Sequence, residues 1–480
     1  MTSQRKPIAV RWVEDNQELV LNVHRKLWDL AEVGLQELQS ARVLVEILQA
    51  AGFHVQEGVA GMPSAFVATY GSGSPVIGLM GELDALPGLS QKVQPTREPR
   101  TPGKAGHGCG HHSYAASALG AALALKDVID RAGMPGTVRV LGCPAEETLV
   151  GKVYMVRDGV FDGLDFCYGH HPAQMNTVRM SSGNAMNSMK FEFYGVAAHA
   201  GSTPEQGISS LDAVELMNVG VNFMREHVVQ EARIHYVIED GGHEPNVVPA
   251  YARSWYYVRA PRRDLVDRYY ARILKVADGA DLMAGTTHKV TFLTGVHDTI
   301  SNTVLADIAV ANMHEIGAPT YSKEEYEFAH ELAKSIPREQ KLDVLRKLSS
   351  QVLGAMELAD VDLTDGIYDP YGDGLSVGGS SDVGDVSWNL PTQQIGTAMF
   401  LVGAPGHSWQ NVAMGGSTIG EKSTIFASKV MAASCIDLVE QPDLLLKAHE
   451  DWQWRMTGLT YKSPLPPDLP PPLDQLGKGH

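Results

Sequence analysis

The first part of the chain mixes apolar residues at helical spacing with short, continuous apolar runs. A long amphipathic helix near the N-terminus is predicted by Leu19, Val20, Val23, Leu27, Leu30 and Leu35. The following pattern predicts a helix at 40–51, strands at 65–70 and 76–80, a helix at 113–132 and a strand at 137–141. Residues 87–106 form a polar loop with Gly and Pro. Strands alternating with helices are typical of a mostly parallel sheet flanked by helices, an α/β fold.

The pattern changes near residue 187, where residues 189–194 partly alternate between apolar and polar as a half-exposed strand does. The next predicted elements are a helix at 210–227, strands at 234–239 and 252–258, a helix at 263–279 and a strand at 289–292. We therefore expect a small α+β domain, residues 187–296, inserted between two parts of a larger domain, residues 1–186 and 297–480.

Two later segments have a different character. Residues 322–350 are charged with a helical pattern, which predicts a solvated surface excursion. The tail from Ser463 onward is rich in Pro and predicts an extended arm over the surface rather than a recognition ligand.

Charge and composition narrow the classes of partner. With 39 basic and 56 acidic residues the net charge is −17, which argues against a nucleic-acid or anionic-membrane partner. No run reaches the ~18 apolar residues of a membrane span. The N-terminus has no apolar core of a signal peptide, so we expect a cytoplasmic protein whose four cysteines are reduced.

The segment from Gly106 to His112 is the strongest candidate for chemistry. Cys109 and His111 can both reach one metal if the backbone turns tightly, and the surrounding glycines allow such a turn. Taken alone, the segment is more typical of a Gly-rich loop that happens to contain histidines.

Three further clusters follow predicted strands. Glu146 and Glu147 come after the strand at 137–141, where one carboxylate could bind a metal and the other could act as a general base. His170 and His171 follow an apolar run at 160–166, and His407 follows another at 399–402; both runs are predicted strands. Each cluster is weak alone, but four strand-end clusters in one chain indicate a shared site.

Nucleophilic catalysis fits less well. The one G-x-S-x-G segment, Gly374–Gly378, does not lie between a predicted strand and a predicted helix, so a serine-hydrolase elbow is not indicated. Cys109 with His111 could form a cysteine nucleophile, but residues two apart seldom reach the required geometry.

The ordered set of motifs resembles the M20 metallopeptidase and amidohydrolase family, its D branch in particular. The resemblance covers nearly the whole chain and rests on Gly81–Pro87, Cys109-Gly110-His111, Pro144–Glu147, the segment from Gly379 to Trp388, and His407–Gln410. It implies a zinc-peptidase-like α/β fold whose inserted domain serves as a lid and dimerisation domain.

The resemblance also implies a two-metal site with zinc or manganese, and cobalt as a further candidate. The implied metal ligands are Cys109, His111, Glu147, His171 and His407, with the thiolate of Cys109 as the bridge. Glu146 matches the general base that deprotonates a metal-bound water. Asp84 matches the carboxylate that orients the site, with Glu82 beside it.

In the inserted domain, His199 matches a residue that crosses a dimer interface and donates to the developing oxyanion. Asn246 and Arg259 match positions that face the substrate, and Arg259 is suited to a substrate carboxylate. Without the resemblance, Arg259 would be read as a surface residue at the end of a strand. A homodimer through the lid and a heterodimer with a related subunit both remain open.

The chain departs from the family pattern at His112, where relatives have Asp or Asn, and at Gly207-Ile208, where many relatives have Gly-Arg. His107, His112 and His170 therefore remain alternative metal ligands. The implied function is hydrolysis of N-acyl or aryl-acyl amino acids, such as p-aminobenzoyl-glutamate or indoleacetyl-aspartate. A dipeptidase or carboxypeptidase of the same fold is the alternative, and a non-catalytic partner subunit is a further one.

Overall fold

Two sheets organise the part of the chain that the computed structural model describes, residues 3–352 and 354–474. Numbered along the chain, their strands are β1 (His54–Glu57), β2 (Phe66–Ser72), β3 (Val76–Glu82), β4 (Gly136–Cys143), β5 (Phe166–His170), β6 (Ala185–Tyr194), β7 (Arg233–Asp240), β8 (Tyr251–Ala260), β9 (Thr287–Val296) and β10 (Thr392–Ile395).

The larger sheet has the strand order β1-β2-β4-β3-β5-β10. Strands β4, β3, β5 and β10 are parallel to one another, whereas β1 and β2 form an antiparallel edge. The central strands β3 and β5 are apolar and buried almost throughout, as expected for strands covered on both faces. The predicted mixed, mostly parallel sheet is confirmed.

Helices cover both faces of this sheet and one face of the other. Their bounds are α1 (Lys6–Asp15), α2 (Gln17–Leu30), α3 (Leu38–Ala50), α4 (His111–Ala132), α5 (Gly151–Arg157), α6 (Ser210–Met224), α7 (Arg263–Ala284), α8 (Thr303–Ile316), α9 (Lys323–Ala333), α10 (Arg338–Ser349), α11 (Val383–Ser387), α12 (Trp409–Gly415), α13 (Thr418–Glu440) and α14 (Pro442–Arg455).

Helix α4 packs against β3 and is itself covered by α1, α2 and α13, which makes it central to the core. Its small residues allow neighbouring helices to approach closely: a Cβ at Gly120 would lie 2.6 Å from Ser428 Oγ on α13. The close packing fixes the position of the N-terminus of α4, which begins at His111.

The smaller sheet is antiparallel throughout, with the order β7-β8-β6-β9. Burial alternates strictly along β8, and α6 and α7 cover the face that carries Tyr256 and Val258. The opposite face carries Trp255, Tyr257 and Arg259, and its aromatic residues pack toward the core beside α5.

Three predicted elements were wrong. The N-terminal helix is two helices that meet at Asn16, and it ends before Leu35, which has a φ of 65°. The apolar run at 160–166 is mostly a turn closed by Asp162 N–H donating to Gly159 O, and the strand begins only at Phe166. The run at 399–402 is irregular backbone, and the nearby strand, β10, ends before it at Ile395. Short apolar runs do not distinguish a buried turn from a strand.

The Pro-rich tail lies over the surface without regular structure through residue 474. Leu465 is buried, and Tyr154 Oη donates a hydrogen bond to Pro470 O at 3.2 Å. Within the described residues, every helix is too short or too polar to cross a bilayer.

Candidate metal centre and active site

The predicted chemical residues meet at one edge of the larger sheet. Asp84 follows β3, Glu147 follows β4 and His171 follows β5. Because these three strands are parallel and adjacent, their carboxyl ends lie side by side. The N-terminus of α4 and the loop before α12 add Cys109, His111 and His407 to the same place.

A tight turn at Gly110 brings Cys109 and His111 to the same point. Gly110 has a φ of 89°, and a Cβ there would lie 2.8 Å from Pro172 Cγ. Both the conformation and the close approach favour glycine. His111 is then the first residue of α4, and Cys109 precedes the turn.

Ligand atoms of the five predicted metal-binding residues form two groups that share Cys109. One group is Cys109, His111 and His171, and the other is Cys109, Glu147 and His407; within each, the ligand atoms lie within 4.8 Å of one another. Cys109 Sγ is 3.3 Å from His171 Nε2, and His407 Nε2 is 3.4 Å from Glu147 Oε2. The thiol therefore lies between two sets of donors.

Asp84 orients one residue of each group. One carboxylate oxygen is 3.0 Å from His111 Nδ1, and the other accepts a hydrogen bond from Glu147 N–H at 2.9 Å. The bond at Nδ1 leaves His111 Nε2 turned toward the thiol. Glu147 Oε1 is buried without a hydrogen-bond partner among the described residues, so the donor set fits a bound cation.

Binding of a cation would also change the protonation of the thiol and carboxylate donors. Burial, together with the charge of Glu147, raises the pKa of Cys109 to about 12. Burial likewise raises the pKa of Glu147 to about 8. Since the thiolate and the carboxylate are the forms that bind metal, binding must release protons, and metal affinity rises with pH.

Glu146 lies beside these groups, and its carboxylate points in a different direction from the carboxylate of Glu147. Its Oε2 is 3.9 Å from His111 Nε2, and the residue is 8% exposed. Burial raises its pKa, and the charge of Glu82 acts in the same direction. The preceding Ala145 has a φ of 55°, and its N–H donates to the buried Glu37 Oε1 at 2.7 Å. This strained turn directs the two neighbouring carboxylates differently.

The three alternative histidines lie outside these groups. His107 and His112 pack against each other with ring centroids 4.8 Å apart, and His112 Nε2 is 3.2 Å from Gly415 O. His170 is held between Ser117 Oγ at 3.0 Å and Thr397 Oγ1 at 2.7 Å. All three side chains are buried and hydrogen-bonded to other partners, which favours His171 as the ligand candidate.

The structure does not bring His199 and Asn246 to the metal-site groups of their own chain. Both are exposed, and Ala200 N–H donates to Asn246 O in the same loop pair. His199 Nδ1 accepts hydrogen bonds from Gly201 N–H at 3.1 Å and Ser202 N–H at 3.2 Å. In the neutral imidazole this leaves the hydrogen on His199 Nε2, which can act as a donor.

Arg259 is half-buried and forms no ion pair with any described residue. Its guanidinium carbon lies 5.5 Å from the centroid of the Tyr257 ring. Burial lowers the pKa of Arg259, and the charges of Tyr257 and Glu146 act in the opposite direction. The guanidinium is therefore within electrostatic range of Glu146 and has no anion of its own.

One part of the site was not predicted from the sequence. Lys152 is fully buried on α5, and its Nζ lies 2.8 Å from Glu82 Oε1 and 2.6 Å from Asp382 Oδ1. The available signal was a single Lys within the apolar run Leu149–Val156, which is unusual for a surface helix.

A buried thiol, imidazoles and carboxylates around two adjacent points, with a further carboxylate beside them, define a metal-dependent hydrolase on an α/β sheet. Comparison with known proteins agrees: residues 78–363 match the model of peptidase family M20/M25/M40. The chain belongs to this family and is a metal-dependent hydrolase of amide bonds.

Relatives extend the match to both ends of the chain. The chain is 36% identical over 477 residues to one of the subunits of p-aminobenzoyl-glutamate hydrolase of Escherichia coli (strain K12), covering 96% of this chain and 97% of that one. It is 26% identical over 466 residues to the Xaa-Arg dipeptidase of Mus musculus, covering 93% and 92%. Among solved structures, a dinuclear metal binding peptidase from Bacillus subtilis shares the fold, with a TM-score of 0.55, 18% identity and coverage of 89% and 99%.

Proposed function

We propose that this chain hydrolyses the amide bond between an acyl or aryl-acyl group and an amino acid, with two divalent metal ions held by Cys109, His111, Glu147, His171 and His407. The observation that carries the proposal is the presence of Cys109 in both groups of ligand atoms. A thiolate shared in this way can bridge two cations. Zinc or manganese suits the mixture of thiolate, imidazole and carboxylate, and cobalt is a further candidate.

Divalent ions bound here would lower the pKa of a water molecule and polarise the substrate carbonyl. The protein supplies the proton carrier. Glu146 is buried beside His111 and belongs to neither group that contains Cys109, so its carboxylate is free to take a proton from the attacking water. It then passes that proton to the leaving amine.

The substrate class follows from the relatives and from Arg259. The hydrolase relative acts on p-aminobenzoyl-glutamate. We extend that activity to this chain and include indoleacetyl-aspartate and other N-acyl amino acids among its substrates. The guanidinium of Arg259 would bind both oxygens of the free carboxylate on the amino-acid part of the substrate. Asn246 would face the substrate when the lid closes.

Arg259→Gln is expected to raise KM for carboxylate substrates about 10- to 100-fold with a small change in kcat, because a charged hydrogen-bond pair is lost. Steady-state kinetics on an N-acyl amino acid and its carboxamide analogue check this. Arg253→Gln is the matched control, since Arg253 lies on the same strand but pairs with Glu239 at 2.9 Å. Equal KM increases for acid and amide would contradict the assignment.

We propose that residues 187–296 form a lid and dimerisation domain between residues 1–186 and 297–480. Strand β7 is an edge of its sheet, and Val237 and Ile238 on it are 55% and 44% exposed. On α6, Phe223 is 76% exposed. An unpaired edge with apolar residues is suited to pairing with a second chain.

The partner at this edge is a second copy of the chain or a related subunit. The Escherichia coli hydrolase supports the second arrangement, because another of its subunits is also similar to this chain, with 32% identity over 238 residues. That match covers 46% of this chain and 53% of the other subunit.

The dimer would bring His199 of one chain to the site of the other, where it donates to the developing oxyanion. Val237→Lys combined with Phe223→Glu is expected to give a monomer by light scattering and to lower kcat about 10²-fold or more through the loss of this donor. Lys275→Glu on α7 is a control for added surface charge. A fully active monomeric variant would show that His199 is not needed from a partner.

A substrate panel separates this function from the alternative. N-acyl glutamate and aspartate, free dipeptides, and Xaa-Arg dipeptides would be tested with added zinc, manganese or cobalt. We expect kcat/KM to be highest for substrates without a free α-amino group. Preference for free dipeptides would instead establish a dipeptidase like the mouse relative.

A further inference from the structure

The side chain of Lys152 is buried at the centre of an ion cluster that the proposed mechanism does not use. Its ammonium pairs with Glu82 at the end of β3 and with Asp382 before α11, and all three side chains are 0% exposed. Asp382 Oδ2 also accepts a hydrogen bond from Lys152 N–H at 2.7 Å. Asp382 thus holds both the backbone and the ammonium of Lys152.

Fold stability does not require such a cluster. Burying three charges carries a large desolvation cost, and apolar residues of similar volume often stabilise a protein equally well. The surroundings of α5 are apolar, with Val153, Tyr154 and Met155 all fully buried. A methionine at position 152 would suit this environment, so the charge needs another explanation.

The cluster reaches the candidate active site through one carboxylate. Lys152 pairs with Glu82 Oε1, and the other oxygen, Glu82 Oε2, lies 3.2 Å from His111 Nε2. Ligand atoms of Glu82, His111 and Glu146 lie within 4.8 Å of one another. The carboxylate of Glu82 is therefore close enough to bind a cation at His111 or to crowd Glu146.

The segment that supplies Asp382 is also fixed to the chain where it leaves the smaller sheet. Asp385 Oδ2 accepts from His297 N–H at 3.0 Å, and Trp388 Nε1 donates to Asp298 O at 2.7 Å. These bonds hold the start of α11, and through Asp382 they fix the position of Lys152.

We propose that Lys152 is a positioning residue for the amide hydrolysis: through its pair with Glu82 Oε1 it fixes the carboxylate of Glu82 beside His111, keeps it from moving closer to the cation, and so keeps room for Glu146. This inference rests on the proposed function. Without the ammonium, the carboxylate of Glu82 loses its counter-charge and is attracted to the bound cation. The cation would then be held more tightly, while the space that Glu146 and water need would be reduced.

The test compares Lys152→Met, Glu82→Gln and the double variant by kcat and by calorimetric affinity of the metal-free protein for zinc. We expect Lys152→Met to lower kcat about 10- to 100-fold and to raise zinc affinity about tenfold, since the carboxylate of Glu82, without its counter-charge, can then move toward the cation. In the Glu82→Gln background, the same substitution should change each quantity less than about threefold, because no carboxylate remains to be positioned.

Lys341→Met is the matched control, because Lys341 is buried and paired with Asp362 at 2.9 Å on a different part of the fold. It is expected to lower the melting temperature but to leave kcat and zinc affinity within twofold. If Lys152→Met does not fold, Lys152→Gln serves in its place, with changes in kcat and zinc affinity in the same directions.

Loss of zinc affinity together with kcat in Lys152→Met, or equal losses with and without Glu82, would show that Lys152 acts only through the fold. The two proposals fail separately. A wild-type protein that hydrolyses no N-acyl amino acid overturns the proposed function. An active wild type with an equally active Lys152→Met overturns only the positioning role.

Discussion

Glu146→Gln is expected to lower kcat by about 10²- to 10⁴-fold while metal content and KM remain close to wild type. Glutamine has nearly the same shape as glutamate, so the packing around this buried side chain is kept. It cannot take a proton from water at neutral pH. Steady-state kinetics combined with elemental analysis of the purified protein check both parts of the expectation.

Glu147→Gln is the matched control for that experiment. The two carboxylates are neighbours, but only Glu147 shares a group of ligand atoms with Cys109 and His407. We expect Glu147→Gln to lower the metal content, whereas Glu146→Gln should keep it. Activity of Glu146→Gln within twofold of wild type would contradict the role of this carboxylate as the general base.

Cys109→Ser is expected to lower the metal content from about two ions per chain to one or fewer, and to lower activity at least about 100-fold. The thiolate is the one donor that belongs to both groups, and a neutral hydroxyl is a weak ligand for either cation. Elemental analysis after dialysis against trace metal measures the content.

Cys435→Ser is the control for loss of a buried thiol. Cys435 is fully buried within α13, away from the candidate metal centre. We expect this variant to be less stable but to keep its metal ions. Full metal occupancy in Cys109→Ser would contradict the proposed bridge.

The sequence indicated which strand ends the candidate site residues follow, because apolar segments and their ends are visible in it. Asp84 and the pair Glu146 and Glu147 follow apolar segments that are strands in the structure, and parallel strands bring their carboxyl ends to one edge. His171 was placed after the wrong element, since residues 160–164 form a turn, yet β5 ends just before it. An apolar run marks burial more reliably than it marks backbone conformation.

The sequence could not choose among the histidines near the motif. His107, His111 and His112 lie within six residues, and only the turn at Gly110 and the start of α4 direct His111 toward Cys109. His112 points from the next position of the same helix toward Gly415. Successive residues on a helix point about 100° apart, so neighbours in sequence face different surroundings.

Two further features depend on contacts distant in sequence. Lys152 and Asp382 are 230 positions apart, and nothing local to either predicts that they form a buried pair. The loop that contains His199 is bonded to the later loop that contains Asn246, since Ala200 N–H donates to Asn246 O. Such pairings arise from the packing of whole elements, which a local pattern does not specify.

The most direct test of the metal-dependent mechanism is a titration of metal-free protein with zinc, manganese or cobalt while hydrolysis of p-aminobenzoyl-glutamate is followed. We predict no measurable hydrolysis without metal and full activity when about two ions per chain have bound. Hydrolysis that is undiminished in the metal-free protein would contradict the metal-dependent mechanism, and full activity at about one ion per chain would contradict the proposal that Cys109 joins two cation sites.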